Sequence, residues 1–266
     1  MPISITDPED SRIAAYRRLR DAEWRQRMEA GQGVFVVEGP GAVRTLLGTG
    51  WPVLSVLLRP ERVAALADVV DAAEIRGAPV YVASPACFDA IAGFHVHRGV
   101  LALGGRRPEP DPSMLLATVD ILVVVEGVND HENLGAIFRN AAALGAGAVL
   151  LDPTCCDPLY RRSVRVSVGQ VLRVPFSRMS PWPEALDTVT SSGFSIVALD
   201  PHSPTTIDVI PPIARVALMV GREGPGLSEG AFSKATCRVR IPMAPGVDSV
   251  NVASALAIAL NRLVHL

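Results

Sequence analysis

Short hydrophobic runs alternate along the chain with amphipathic stretches of helical length, and turns rich in glycine and proline separate them. In the N-terminal part, this alternation predicts strands over 34–39, 53–58, 79–84 and 99–104 and helices over 12–31, 42–47, 63–75 and 85–92. In the C-terminal part, it predicts strands over 121–127, 148–152, 170–176, 194–200, 216–221 and 238–243, and helices over 133–145, 159–169, 182–192, 227–235 and 250–264. Strands that alternate with helices predict an α/β fold in both parts.

The C-terminal strands are continuous apolar runs, such as I-L-V-V-V over 121–125. Continuous runs are typical of a parallel sheet that helices cover on both faces, so we predict a doubly wound C-terminal domain. Between the two series, G-G-R-R-P-E-P-D-P (104–112) interrupts all periodicity. We therefore predict a smaller α/β domain over 1–105, a linker over 106–117 and the larger domain over 118–266.

Composition narrows the class of protein. Hydrophobic residues make up 49% of the 266 residues, but no apolar run reaches the length of a membrane span, and the N-terminus lacks the pattern of a secretory signal. We expect a cytoplasmic protein. The four cysteines have no C-x-x-C spacing, and His95 and His97 have no acidic or cysteine neighbour in a ligand pattern, so we expect neither disulfides nor a metal site.

Arginine supplies almost all of the positive charge. The net charge is −2, yet the stretch from Ser11 to Arg27 has six arginines and only two acidic residues. A second cluster surrounds the predicted helix over 159–169 and comprises Arg161, Arg162, Arg165, Arg173 and Arg178. Guanidinium groups bind phosphate well, so both clusters are candidates for RNA binding, and solvated helix surfaces explain them equally well.

Two polar turns near the C-terminus have the character of a ligand site. Glycines in the turn over 221–226 leave backbone amides uncovered, and Val247–Asn251 precedes a long apolar helix whose first amides are free to bind. Together these turns are suited to enclose one small molecule. The glycine spacing is G-x-x-G-x-G, the reverse of the dinucleotide order, and it follows a late strand, so we reject a Rossmann dehydrogenase.

Three ordered motifs connect these turns to a known family. The first is E-G-V-N-D-H-E-N-L-G-A-I-F-R-N-A (126–141), in which Asn133 is a predicted helix cap. The second is G-R-E-G-P-G-L (221–227), and the third combines I-P-M (241–243) with S-V-N-V-A (249–253). In this order they resemble the SpoU/TrmH-type RNA ribose 2′-O-methyltransferases of the SPOUT superfamily. Residues 34–104 are similar to the L30e-like substrate-binding domain that precedes many members.

The resemblance implies a deep trefoil knot in the C-terminal domain, S-adenosylmethionine as the cofactor and a homodimer packed through the knot helices. It implies cofactor binding by Gly221, Ile241, Met243 and Val250. It implies a reaction site formed by Asn133, Arg139, Glu223, Ser249 and Asn251. It also implies RNA contacts by Arg139, Arg161, Arg162 and Arg165. The helix over 250–264 is apolar on most of its faces, which agrees with burial in an interface.

The expected reaction is methyl transfer to a ribose 2′-hydroxyl, with ribosomal RNA as the favoured substrate. A guanidinium stays protonated at physiological pH, so we assign Arg139 to holding phosphate and stabilising the developing alkoxide. Two roles stay open for Glu223: it positions Arg139 or the ribose, or it is a structural cap. Two alternatives to the main hypothesis also stay open: a transfer RNA substrate, and an RNA-binding paralogue without turnover. The sequence carries no code for the target nucleotide.

Overall fold

The structure, a computed structural model, describes residues 1–19, 21, 31–94, 96–211 and 213–264. The chain divides into two compact units, each built on one β-sheet with helices. The first unit comprises Met1–Pro108 and Leu159–Leu172. The second unit comprises Glu109–Pro158 and Arg173–Leu266.

Most elements coincide with the predicted ones. The strands, β1 to β11 in chain order, are Ile3–Ile5, Val34–Glu38, Val53–Leu58, Val80–Ala83, Val100–Gly105, Ile121–Glu126, Ala148–Leu151, Phe176–Arg178, Ser195–Leu199, Val216–Gly221 and Cys237–Val239. The α-helices of the described residues, α1 to α10, are Pro40–Gly48, Pro60–Val63, Ala67–Ile75, Pro85–Ala92, Pro112–Thr118, His131–Ala143, Arg161–Val166, Leu186–Ser191, Glu229–Lys234 and Val252–Val264. Short 3-10 helices cover Ser11–Tyr16, Ala64–Leu66, Gln170–Leu172 and Ile207–Val209.

The first unit has a mixed five-stranded sheet in the order β1-β4-β3-β5-β2. Strand β5 runs antiparallel to β2 and β3, while β1 and β3 run parallel to β4. Apolar residues of the sheet pack with the 3-10 helix Ser11–Tyr16 and with α4, and Tyr16 and Phe88 are fully buried in that core. The predicted α/β class is confirmed, although the pattern missed the three-residue strand β1.

The predicted Arg-rich helix over 12–31 is wrong at its start. A 3-10 helix ends at Tyr16, and Arg17 has an extended backbone. Asp10 caps this helix and pairs with Arg12 at 2.5 Å, while Glu9 pairs with Arg17 at 2.6 Å. Acidic residues just before the arginines therefore neutralise part of the expected positive charge. Residues 20 and 22–30 of the predicted helix lie outside the described residues.

The unit boundary differs from the predicted domain boundary in two ways. The chain leaves the first unit after Pro108, and only the first part of the predicted linker is irregular, because α5 occupies Pro112–Thr118. In addition, the segment 159–172 belongs to the first unit. There Thr45 Oγ1 donates to the Val168 carbonyl at 3.3 Å, and Trp51 Nε1 donates to the Leu172 carbonyl at 2.9 Å.

The predicted strand over 170–176 is also wrong for most of its length. Val168 and Gly169 have positive φ angles, and the Leu172 amide closes a turn on the Gly169 carbonyl at 2.9 Å. The apolar residues of this stretch are therefore buried in a 3-10 turn, and strand β8 begins only at Phe176. A short apolar run does not distinguish these two conformations.

The second unit has a six-stranded sheet in the order β11-β9-β10-β6-β7-β8, with every pair parallel. Helix α10 packs on β10 and α6, while α5, α8 and α9 contribute to a core cluster that includes Val124, Ile196 and Met219. The parallel sheet predicted from continuous apolar strands is confirmed. Strands β6 and β10 end together, because Glu126 pairs with Gly221 in register. The carboxyl ends of parallel strands are where α/β proteins bind ligands.

Candidate active site

The glycine-rich loop (residues 222–227) turns tightly at the end of β10. The Gly226 amide donates to the Arg222 carbonyl at 3.1 Å. A Cβ on Gly221 would lie 2.3 Å from the Gly226 carbonyl carbon and 2.4 Å from the Leu227 nitrogen, so only glycine fits at the start of this turn. Gly224 and Gly226 have φ angles of 80° and 72°, a conformation that other residues rarely adopt.

The second loop of the site leads from β11 into α10, and Asn251 caps that helix. Its Oδ1 accepts from the amides of Ala253 at 3.0 Å and Ser254 at 3.4 Å. Two helix amides that would otherwise lack partners are thereby satisfied. The cap fixes the direction in which the preceding residues, Ser249 and Val250, enter the helix.

A cleft of about 310 Å³ lies between these two loops. Its apolar lining comes from strand ends and α10, namely Leu199, Val220, Val239, Val252 and Ala255. The four residues expected to hold the cofactor all line the cleft, and these are Gly221, Ile241, Met243 and Val250. Its polar side chains include Asp200, Glu223, Ser249 and Asn251.

Asn251 also links the two loops to α6. Its Nδ2 donates to Asn133 Oδ1 at 2.7 Å and to Glu223 Oε1 at 3.0 Å. The expected cap role of Asn133 is wrong, because Asp130 caps α6 by accepting from the amides of Glu132 at 2.7 Å and Asn133 at 2.9 Å. The Asn133 side chain is thereby left to bind Asn251. Three side chains from separate motifs therefore meet at this point.

Arg139 is not brought into the cleft. It is exposed on α6, and the described residues offer it no hydrogen bond or ion pair. A helix turns about 100° per residue, so Arg139 lies about 240° around α6 from Asn133. Asn140 lies nearly in line with Asn133, and its Nδ2 donates to the Ala253 carbonyl at 2.7 Å. The sequence interpretation gave no role to Asn140, which joins α6 to α10.

The other three arginines expected to bind RNA lie in the first unit, on or beside α7. Arg161 forms an ion pair with the buried carboxylate of Glu38, and its guanidinium lies 4.8 Å from the ring centre of Phe94. Arg161 is thus engaged within the fold. Arg165 lies 3.9 Å from Glu38, and its side chain is 47% exposed. Arg162 borders a pocket that also contains Arg161, Arg165 and Tyr160.

Comparison with known proteins identifies the family of the chain. Residues 120–261 match the SpoU rRNA methylase family. A Mycobacterium tuberculosis protein, described as an uncharacterized tRNA/rRNA methyltransferase, is 44% identical over 260 residues, which cover 96% of this chain and 89% of that protein. The chain belongs to the SpoU family.

Solved structures agree with this assignment at the level of the fold. The fold is similar to that of an AdoMet-bound rRNA methyltransferase from Sinorhizobium meliloti, with a TM-score of 0.82, 23% identity, and coverage of 98% of this chain and 97% of that chain. A structure titled as an RNA 2′-O ribose methyltransferase has a TM-score of 0.77 and 26% identity over 99% of this chain and 98% of that chain. The expected family is confirmed.

A second hydrogen-bonded cluster of this SpoU protein was not foreseen from the sequence. Glu126, at the end of β6, is only 8% exposed. Its Oε1 accepts from Trp182 Nε1 and from Ser228 Oγ, both at 2.7 Å, and its Oε2 accepts from the Ser228 amide at 2.7 Å. The sequence did contain a signal for this cluster, because Glu126 is a single carboxylate at the end of an otherwise apolar strand. A carboxylate that is buried with such a strand needs hydrogen-bond donors around it.

The thiols of Cys155 and Cys156 do not line the cleft. Burial raises the pKa of the Cys156 thiol to about 12 and also raises the pKa of Cys155. Both are therefore protonated and weakly nucleophilic at neutral pH. Within the described ranges, no group of three or more His, Cys, Asp and Glu residues could hold a metal ion. No helix in that part of the chain is long and apolar enough to cross a membrane.

Proposed function

We propose that this SpoU protein transfers the methyl group of S-adenosylmethionine to a ribose 2′-hydroxyl of structured RNA, with ribosomal RNA as its substrate. The observation that carries the proposal is the meeting of Asn133, Glu223 and Asn251 beside the cleft. Family membership supports RNA methylation, and the structural neighbour titled as a 2′-O ribose methyltransferase supports the ribose as acceptor.

The cleft suits S-adenosylmethionine in size and chemistry. Its apolar walls match an adenine ring, and uncovered amides of the glycine-rich loop match polar edges of the ligand. The lining also includes two carboxylates, Asp200 and Glu223, and two arginines, Arg222 and Arg240, which suit a ligand that carries charges of both signs. Gly221, Ile241, Met243 and Val250 would hold the cofactor. When bound, it supplies an activated methyl group.

The protein's own residues then have a small task. They hold the ribose hydroxyl in line with the methyl group and assist the departure of its proton. Asn251 orients the carboxylate of Glu223 at the exposed side of the cleft, where we assign Glu223 to accept the hydrogen bond of that hydroxyl. Arg139 is assigned to phosphate and to the developing negative charge. Arg162 and Arg165 are assigned to RNA binding only. Ser249 is assigned to the same reaction site.

The proposal also includes a homodimer. Helix α10 buries Leu256, Ala259 and Leu260 within the second unit, while Ile258 is 45% exposed. An interface that covers Ile258 agrees with the family resemblance. The resemblance further predicts a trefoil knot through the last strands and α10 and an L30e-like fold for residues 1–105. We also propose that the protein acts in the cytoplasm.

Light scattering tests the proposed dimer. It should give twice the chain mass for the native protein and a monomer for Ile258→Glu. Met114→Glu, a matched apolar-to-Glu control at a residue 66% exposed on α5, should stay dimeric.

Methyl transfer from labelled S-adenosylmethionine to RNA of a strain that lacks the gene tests the function. We expect label at one ribose of ribosomal RNA, resistant to alkaline cleavage at that position. Label on a base contradicts the ribose assignment, and label in transfer RNA contradicts the ribosomal substrate. Cofactor binding without transfer to either RNA supports a non-catalytic paralogue, and absence of cofactor binding contradicts the proposal as a whole.

A further inference from the structure

We propose that Glu126 is a positioning residue that holds the glycine-rich loop in its ligand-binding shape. The inference rests on the proposed role of the cleft as the S-adenosylmethionine site. Glu126 does not line the cleft, and none of the motif residues assigned to the reaction contacts its carboxylate. It acts through Ser228, the residue that follows the loop.

The carboxylate of Glu126 is held by hydrogen bonds alone. Three donors from Ser228 and Trp182 reach it at 2.7 Å, and no cation of the described residues pairs with it. A buried carboxylate is stable only when strong donors satisfy both of its oxygens. The position of Ser228 is therefore coupled tightly to the end of β6.

Both ends of the loop are fixed relative to Glu126. At one end Gly221 pairs with Glu126 in the sheet, and at the other end Ser228 binds its carboxylate and caps α9 by accepting from the Ala231 amide at 3.1 Å. Between these points, Arg222, Glu223, Gly224 and Gly226 line the cleft. Release of Ser228 would free one end of the loop and so change one wall of the cleft.

The decisive variant is Glu126→Gln, which keeps the shape of the side chain. The glutamine amide has one oxygen, which accepts, and one NH2 group, which only donates. Because Ser228 and Trp182 also donate at this place, at least one of the three hydrogen bonds is lost. We expect the dissociation constant of S-adenosylmethionine, measured by calorimetry, to rise about tenfold, which corresponds to about 1.4 kcal/mol. At saturating cofactor, kcat should change by less than about twofold, because Glu126 does not touch the reacting atoms.

Asp152→Asn is the matched control. Asp152 is 3% exposed and accepts from the amides of Gly127 at 3.0 Å and Cys155 at 2.9 Å and from Thr154 Oγ1 at 2.6 Å. It is thus a similarly buried carboxylate with three donors, but it holds other loops. This variant should lower Tm to a similar degree and leave the cofactor dissociation constant within about twofold of the native value.

A readout without ligand separates this proposal from the proposed function. Hydrogen exchange of the Ser228 amide should be slow in the native protein and faster in Glu126→Gln, whether or not the cleft binds S-adenosylmethionine. A native protein that fails to bind the cofactor contradicts the proposed function only. Unchanged exchange in Glu126→Gln, unchanged cofactor affinity in a folded variant, or equal loss of affinity in Asp152→Asn overturns the positioning role.

Discussion

Two glutamates are associated with the glycine-rich loop, and they differ in burial and in hydrogen bonding. Glu126 lies at the end of β6, next to the loop; it is buried and accepts three hydrogen bonds at 2.7 Å. Glu223 lies within the loop, is exposed, and accepts one bond of 3.0 Å from Asn251. The comparison teaches that a carboxylate can position a loop when it is buried and both of its oxygens accept hydrogen bonds from the protein, and that it can bind a substrate when it stays exposed.

The largest effect is expected when the loop itself is displaced. Gly221→Ala places a Cβ 2.3 Å from the backbone of Gly226, and backbone atoms on both sides cannot yield cheaply. We expect cofactor affinity to fall by more than about a hundredfold, or about 2.7 kcal/mol, in calorimetric titration. Gly145→Asn is the control, because that position does not line the cleft, has open space around it and has a positive φ that Asn tolerates. Native affinity in Gly221→Ala would contradict the assigned role of the turn.

The second prediction concerns Arg139, which is exposed like Glu223. The role assigned to Arg139 comes from the family resemblance, because the residue does not face the cleft in the described chain. On that assignment, Arg139→Ala should reduce kcat by about a thousandfold, since stabilisation of the developing negative charge is lost. Calorimetric affinity for S-adenosylmethionine should be retained, because Arg139 does not line the cleft. Equal loss of turnover and of cofactor binding would assign Arg139 to the structure of the site instead.

Glu223→Gln tests the exposed glutamate directly. The amide can still accept from Asn251 but binds the ribose hydroxyl more weakly, so we expect kcat to fall by about tenfold to a hundredfold. The dissociation constant of the cofactor should change by less than about threefold. This pattern is the reverse of that expected for Glu126→Gln. If both variants lower affinity and spare kcat, the contrast between the two glutamates fails.

The smallest effect separates the two functions of Asn251. Asn251→Ala removes the helix cap and should lower the free energy of unfolding by about 1 kcal/mol. Asn251→Asp keeps an acceptor for the amides of α10 but places a negative charge beside Glu223 and removes the donor to it. The Asp variant should therefore have nearly native Tm in thermal denaturation and reduced kcat. Comparable kcat in the Asp variant and the native protein would mean that the bridge to Glu223 is dispensable.

Local pattern was sufficient for much of the fold and for the loops of the site. Helix 85–92 and strands 53–58 and 216–221 have the predicted bounds, because capping residues and continuous apolar runs act over a few neighbouring positions. The cofactor-site prediction named Gly221, Ile241, Met243 and Val250, and all four line one cleft. Their motifs are short and lie in loops whose positions follow from the order of strands.

Tertiary packing decided what each polar side chain binds. Asn133 had the local features of a cap, yet Asp130 is the cap, and Asn133 binds Asn251, 118 positions away in sequence. The segment 159–172 follows the second-unit strands in sequence but packs in the first unit. Contacts between distant positions leave no periodic signal in one sequence.

The sequence by itself therefore determined the α/β class, the family and the loops that form the cleft, because these depend on local periodicity and on short motifs. Only the tertiary structure decided that Glu126 is buried against Ser228 and Trp182 while Glu223 is exposed. A carboxylate's role depends on which donors surround it and on its access to water. Both are set by the packing of residues that are remote along the chain.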